Sequence, residues 1–251
     1  MERCRWCGEP HPLVKSHVIA EALFRNANGD GEPMAIAGDA SMFVERSQTG
    51  IYSRFACRGC EDRFKQHDDY LLAFSKGLAG GQPLFDGDAV LYPSADGDRL
   101  AKALLSVLFR AHLSDHRVFA AVKLGRYESV LAAHLASEAP GCPPNVSVIL
   151  HIEERPSGAN VLSPYRARWE GGVNGYKLFL PHLLALIRLD VRRFAGPLPL
   201  MELAADRPVI VARGGRWNEH ERSRLRPLME RHAGSLERFF ARHEAGKREK
   251  S

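Results

Sequence analysis

Two cysteine pairs are the residues of this chain whose spacing most clearly predicts chemistry. Cys4 and Cys7 form one Cys-x-x-Cys pair near the N-terminus, and Cys57 and Cys60 form a second. Four thiolates complete the tetrahedral coordination of a zinc ion and leave no open position, so we expect a structural Zn²⁺ rather than a catalytic one. The alternative interpretation is two unrelated cysteine pairs in a reducing compartment.

The segments around these pairs predict a small zinc module. The stretch KSHVI, residues 15–19, follows the first pair, and the second pair runs directly into CEDRFKQHDDYLL. The apolar positions of that second stretch suit a helix that begins at the cysteines. A hairpin-borne pair followed by a helix-borne pair is the arrangement of a treble clef. We therefore predict a treble-clef module over residues 1–76, with residues 27–50 as a long loop or insertion.

The stretches CRWCG, KSHVI and CRGCEDRFKQHDDY together resemble the zinc-pinned HNH endonucleases, whose ββα-metal unit holds one divalent cation at the scissile phosphate. This resemblance covers about residues 4–70. The chain also looks like a family of uncharacterised bacterial proteins with Cys-x-x-Cys, Ser-His-x-Ile and Cys-x-x-Cys-Glu motifs, and that likeness extends to residues 104–125. The first resemblance implies a metal-dependent endonuclease, in the setting of bacterial defence against foreign DNA. The second implies no activity.

Carried onto this chain, the HNH resemblance implies a role for each matching position. His17 matches the general base, Glu61 stands where the family has Asn or His, and His67 stands where a metal-binding residue can stand. His67 and Asp68 would bind a second divalent ion, Mg²⁺, Mn²⁺ or Zn²⁺, which stabilises the leaving oxyanion. Lys65 would contact phosphate as a point charge.

Several positions besides Glu61 depart from the family's pattern and leave alternatives open, and no Asn stands just upstream of Cys57. Ser16 replaces the acidic residue that precedes the histidine, and Ala20 replaces the usual proline. The catalytic set is therefore incomplete. His17 then has two further interpretations: a residue of a non-catalytic zinc adaptor that docks nucleic acid or a partner protein, or a structural residue of an unrelated treble clef. For His67, an exposed helix histidine is the plainer interpretation.

The rest of the chain predicts a larger α+β domain. Residues 77–97 are rich in Gly, Asp and Pro and suit a connector. The stretch DRLAKALLSVLFRAHLSD has a nearly all-apolar helical face, which predicts a buried helix at the centre of a domain over residues 98–216. A second helix is expected over residues 125–137, and the apolar runs that follow suit an antiparallel set of strands. Helices followed by strands predict the α+β class.

The basic charge of the chain is concentrated at its C-terminus. Net charge is +5, and residues 213–251 alone contain 11 Lys or Arg against 6 Asp or Glu. A helix is predicted within the segment 217–251, whose arginines are the best candidates for contacts with nucleic-acid phosphates. These candidates are Arg222, Arg224, Arg226 and Arg231. The alternative is a solvated helix face.

Composition bounds the class of protein. The chain is 45% hydrophobic and 26% charged, which is typical of a soluble globular protein. No apolar run approaches the roughly 20 residues of a membrane span, and the charged N-terminus lacks the apolar core of a secretory signal. We therefore expect a cytoplasmic protein that does not act on membranes. The HNH resemblance implies that it acts on nucleic acid, with DNA favoured. A protein partner or a homo-oligomer stays open.

Overall fold

The fold is described from a computed structural model of the chain, which covers residues 2–23, 34–37, 44–47, 50–84, 87–152, 160–196 and 198–213. The described residues belong to a single compact unit of the chain. The predicted C-terminal helix lies outside the described residues, and so do the candidate nucleic-acid contacts Arg222, Arg224, Arg226 and Arg231.

Helices and strands occupy mostly separate stretches of the chain, so the predicted α+β class is confirmed. The helices are α1 (Arg58–Lys76), α2 (Gly97–Leu113) and α3 (Tyr127–Ala136). The strands are β1 (Leu13–His17), β2 (Met34–Ala37), β3 (Val44–Ser47), β4 (Tyr52–Cys57), β5 (Gln82–Leu84), β6 (Ala89–Tyr92), β7 (Val146–Ile152), β8 (Asn160–Leu162), β9 (Tyr165–Arg168), β10 (Asn174–Leu180), β11 (Leu183–Leu189) and β12 (Val209–Arg213). In the part of the chain that the structure describes, no helix is long and apolar enough to cross a bilayer.

The N-terminal module is a two-stranded sheet followed by a helix. Strands β1 and β4 pair antiparallel, and the register shifts between Val14 and Ser16. Such a bulge re-aims the side chains that follow it. Helix α1 begins immediately after β4, so Cys57 ends the strand and Cys60 lies in the first helical turn. The ββα arrangement of the predicted treble clef is therefore confirmed.

A seven-stranded sheet forms most of the larger part of the structure, in the order β5-β6-β12-β7-β11-β10-β9. Its neighbouring strands pair antiparallel except β12 and β7, which are parallel. The expectation of a wholly antiparallel set was wrong at this pair. Strand β12 follows β7 only after four intervening strands, and a connection of that length allows the parallel direction that a hairpin forbids.

A separate three-stranded sheet has the order β3-β2-β8. Within residues 27–50, predicted to be a long loop or insertion, β2 and β3 form an antiparallel pair that the sequence analysis did not predict. Strand β2 also pairs in parallel with β8, more than a hundred residues further along the chain. Four-residue strands are too short for a periodic pattern, and a distant pairing partner leaves no local signal.

Helix α2 is the predicted buried helix, and it joins the N-terminal module to the large sheet. The Asp96 side chain caps it by accepting from the Arg99 amide at 3.0 Å. The helix packs against α1, α3 and β7. One hydrophobic cluster contains Phe64 of α1, Leu104 of α2 and Val148 of β7. The domain boundaries proposed at 76, 97 and 216 stay predictions.

Candidate metal centre and the adjoining cleft

The four paired cysteines come together in the structure. Their ligand atoms all lie within 4.8 Å of one another. The Cys4 and Cys60 sulfurs are 3.7 Å apart, and the Cys7 and Cys57 sulfurs are 3.9 Å apart. Four sulfur donors are the ligand set of closed, structural zinc sites, so this cluster could hold a zinc ion. Among the described residues, no other group of three His, Cys, Asp or Glu side chains meets at a comparable distance.

Backbone hydrogen bonds fix the first cysteine pair against the second strand of the module. The Gly8 amide donates to the Cys4 carbonyl at 2.9 Å, and Gly8 has a φ of +77°, a conformation that glycine adopts without strain. The Arg5 amide donates to the Phe55 carbonyl at 2.8 Å, and this bond holds the turn that contains Cys4 and Cys7 against β4. The Cys57 amide in turn faces the Cys4 sulfur at 3.3 Å. The turn and the strand therefore hold the first cysteine pair beside the second.

The thiols of the cluster differ in acidity. Burial raises the pKa of Cys60, and the neighbouring cysteines raise it further. Burial also raises the pKa of Cys4, but nearby backbone amides outweigh it and bring the pKa to about 7. A bound divalent cation would hold such thiols as thiolates whatever their metal-free pKa, because coordination deprotonates them. The donor set and its surroundings therefore fit zinc.

A cleft of about 410 Å³ lies along one face of α1, beside the end of β1. The helix residues that line it recur every three or four positions, which is the spacing of one helical face. Its charged lining consists of the carboxylates Glu21, Glu61, Asp62, Asp68 and Asp69 and the cations Arg58 and Lys65. His17 also lines the cleft. Because carboxylates outnumber cations in this lining, the cleft favours binding of a metal cation over binding of a phosphate group without a metal.

His17 ends β1 and is held by two neighbours. Its ring centroid lies 3.9 Å from that of Tyr52. Its Nε2 is 3.5 Å from Glu21 Oε2, longer than an ordinary hydrogen bond, and the Tyr52 hydroxyl donates to the same oxygen at 3.0 Å. Burial lowers the pKa of His17 from 6.5, and the Glu21 carboxylate opposes that shift. His17 is therefore neutral at pH 7 and able to accept a proton.

Glu61 comes from the first turn of α1 and approaches the same strand end. Its Oε2 is buried and has no hydrogen-bond partner among the described residues. Burial raises the pKa of Glu61, while the nearby Ser16 hydroxyl and the Arg110 charge oppose that shift. The backbone amide of His17 also lies close to this carboxylate. The structure thus brings together two of the three residues predicted to be catalytic.

The structure separates the other predicted residues. Asp68 lines the cleft, but both of its carboxylate oxygens accept from the Arg110 guanidinium. His67 does not line the cleft. Burial, together with the charges of Arg110 and Lys102, lowers the pKa of His67 to about 4. The Lys65 ammonium pairs with Asp69 at 2.6 Å on the exposed rim. A second divalent site that uses His67 and Asp68 stays a prediction.

No family model, curated protein or solved structure matches this chain. The resemblance to HNH endonucleases therefore rests on the sequence motifs. The cysteine cluster and the ββα arrangement around it are the features of the structure that agree with it.

Three residues of the site were missed by the sequence analysis. Arg110 lies on the buried, otherwise apolar face of α2, and an isolated cation on such a face signals a buried partner. Glu21 had no local signal, because His17 ends a strand and the chain becomes helical only at Glu21. Tyr52 had no local signal, because it meets His17 only through the pairing of β1 with β4.

Proposed function

We propose that this protein is a metal-dependent, HNH-like endonuclease that hydrolyses phosphodiester bonds in nucleic acid. DNA is the favoured substrate and bacterial defence the favoured setting, as the motif resemblance implies. One observation carries the proposal: the His17 imidazole and a Glu61 carboxylate oxygen that has no hydrogen-bond partner among the described residues share a carboxylate-lined cleft on a ββα unit.

In the proposed reaction His17 is the general base. It accepts a proton from the water whose oxygen forms the new bond to phosphorus, while the bond from phosphorus to the leaving sugar oxygen breaks. Glu61 is the carboxylate free to hold a divalent cation, which would stabilise the charge on the leaving oxygen. Lys65 and Arg58 at the rim of the cleft supply positive charge for the flanking phosphates.

The proposal is tested by cleavage assays on zinc-loaded protein. Supercoiled plasmid and RNA are incubated with Mg²⁺, Mn²⁺ or added Zn²⁺, beside the variants His17→Ala and His11→Ala. His11 is an exposed histidine of the same module, so its replacement is the matched control. We expect metal-dependent cleavage that is lost in His17→Ala and kept in His11→Ala. Absence of cleavage with every metal by folded, zinc-loaded protein would contradict the proposal.

A second candidate function is a non-catalytic zinc adaptor that docks nucleic acid or a partner protein. The observation that favours it is the engagement of Asp68 by Arg110, since this removes one of the two residues predicted to hold a second ion. An adaptor needs the cysteine cluster alone, and His17→Ala would leave its binding unchanged.

Binding of a labelled oligonucleotide tests the adaptor and the basic tail together. The variant for this assay replaces four tail residues by alanine: Arg222, Arg224, Arg226 and Arg231. If each arginine neutralises one phosphate, the slope of log affinity against log salt falls by about 3 to 4. An unchanged slope would show that these arginines form a solvated face.

A further inference from the structure

Arg110 is a cation buried inside the apolar helix α2. Arg110 as a whole residue is 0% exposed. The guanidinium carbon lies 5.2 Å from the centre of the Phe64 ring, and Nε donates to the Ser106 carbonyl at 3.4 Å. A charge taken this far from water persists only where the remaining donors are paired. The partners of those donors therefore show what the residue does.

The outer nitrogens of Arg110 connect two other elements of the structure. Nη1 donates to Asp68 Oδ2 at 2.8 Å, and Nη2 donates to Asp68 Oδ1. Nη1 also donates to the backbone carbonyl of His17 at 3.1 Å. One side chain from α2 therefore joins α1, through a carboxylate, to the end of β1, through the residue proposed as the base. The planar guanidinium can make these bonds at once, whereas the point charge of a lysine cannot.

We infer that Arg110 is the positioning residue of the cleft: it fixes the backbone of His17 at a set distance from the carboxylates of α1. Asp68 is then the counter-ion that holds the guanidinium in place. The larger α+β part of the chain thereby controls the geometry of a site that lies on the zinc module. The effect on cleavage rests on the proposed function, whereas the effect on the position of His17 does not.

The test uses a pair of replacements that removes the charges together. Arg110→Met alone or Asp68→Leu alone leaves one buried charge without its partner, and each single variant should lower Tm by about 10 °C. The double variant leaves neither charge, and its Tm should return to within about 3 °C of the wild type, because a buried ion pair replaced by apolar side chains is close to neutral in stability. Zinc content is measured on every variant.

Two readouts on the double variant separate positioning from stability. The imidazole signals of His17 in the NMR spectrum, assigned by their loss in His17→Ala, should move while those of the exposed His11 stay in place. The cleavage rate should fall by about 100-fold, the loss that a misplacement of about 1 Å produces. A double variant with native Tm, native His17 signals and native cleavage would overturn the inference and leave the pair a purely structural one.

A further variant decides the case in which the double variant does not fold. Arg110→Lys keeps the buried positive charge, but its shorter side chain offers one nitrogen in place of the planar fork, so it cannot keep the bidentate bond to Asp68 together with the bond to the His17 carbonyl. Displaced His17 signals in this variant support the inference, and unchanged signals overturn it. If the wild-type protein cleaves no nucleic acid, the proposed function fails, while the His17 signals still judge the role of Arg110.

Discussion

Replacement of His67 by glutamine should make the protein more resistant to acid. His67 lies outside the cleft and is half-buried near two cations, Arg110 and Lys102, so its charged form is disfavoured in the folded state. Glutamine keeps similar polarity and volume but takes up no proton. If His67 were instead a metal ligand facing the cleft, its replacement would weaken metal binding and leave acid stability unchanged.

The magnitude follows from proton linkage. The pKa of His67 is about 4 in the folded state, whereas an unfolded chain has an ordinary histidine pKa of about 6.5. As pH falls below about 6.5, the unfolded state binds the proton first, so stability that is present above that pH is progressively lost down to about pH 4. Between about pH 7.5 and about pH 5 the loss from this residue is about 2 kcal/mol.

The assay is urea unfolding of zinc-loaded wild type, His67→Gln and the control His11→Gln at both pH values. We expect the free energy of unfolding of His67→Gln to fall by about 2 kcal/mol less than that of the wild type between the two pH values. His11→Gln, in an exposed loop, should follow the wild type. Identical pH dependence in wild type and His67→Gln would refute the burial of His67 described above.

Three further predictions concern the metal centre and the core. Purified protein should bind one zinc per chain, and metal analysis should show the zinc lost in Cys4→Ser and kept in Cys142→Ser, since Cys142 lies outside the cluster. Phe64→Ala should lower the free energy of unfolding in urea by about 3 to 5 kcal/mol, because this ring is fully buried. Gly97→Ala should lower Tm by about 5 °C or more, since its Cβ would meet a backbone oxygen at 2.5 Å, whereas Gly59→Ala, in open space, should not.

The features predicted correctly from the sequence are those with a local signal. The spacing of Cys4, Cys7, Cys57 and Cys60 indicated the cluster, because two Cys-x-x-Cys pairs have few other uses in one small module. The apolar repeat around Leu104 indicated the buried helix α2, since a helix with such a broad apolar face is stable only when that face is buried. Each cysteine pair, like the apolar repeat of α2, is a short local pattern of the sequence.

The features that were missed depend on contacts between distant parts of the chain. The pairing of β2 with β8 and the parallel pairing of β7 with β12 are set by tertiary packing. The bonds from Arg110 to Asp68 and to the His17 carbonyl span 42 and 93 residues of sequence. A helical pattern shows that Arg110 is buried among apolar residues, but it cannot show which carboxylate balances its charge.

The most direct test of the central claim is the single-turnover rate of phosphodiester cleavage by His17→Ala relative to His11→Ala, with saturating divalent metal and equal zinc content. If His17 is the general base of the cleft, its replacement should slow cleavage by about 100-fold or more, while His11→Ala cleaves at the wild-type rate. Equal rates for the two variants, or cleavage by neither variant nor wild type, would contradict the account.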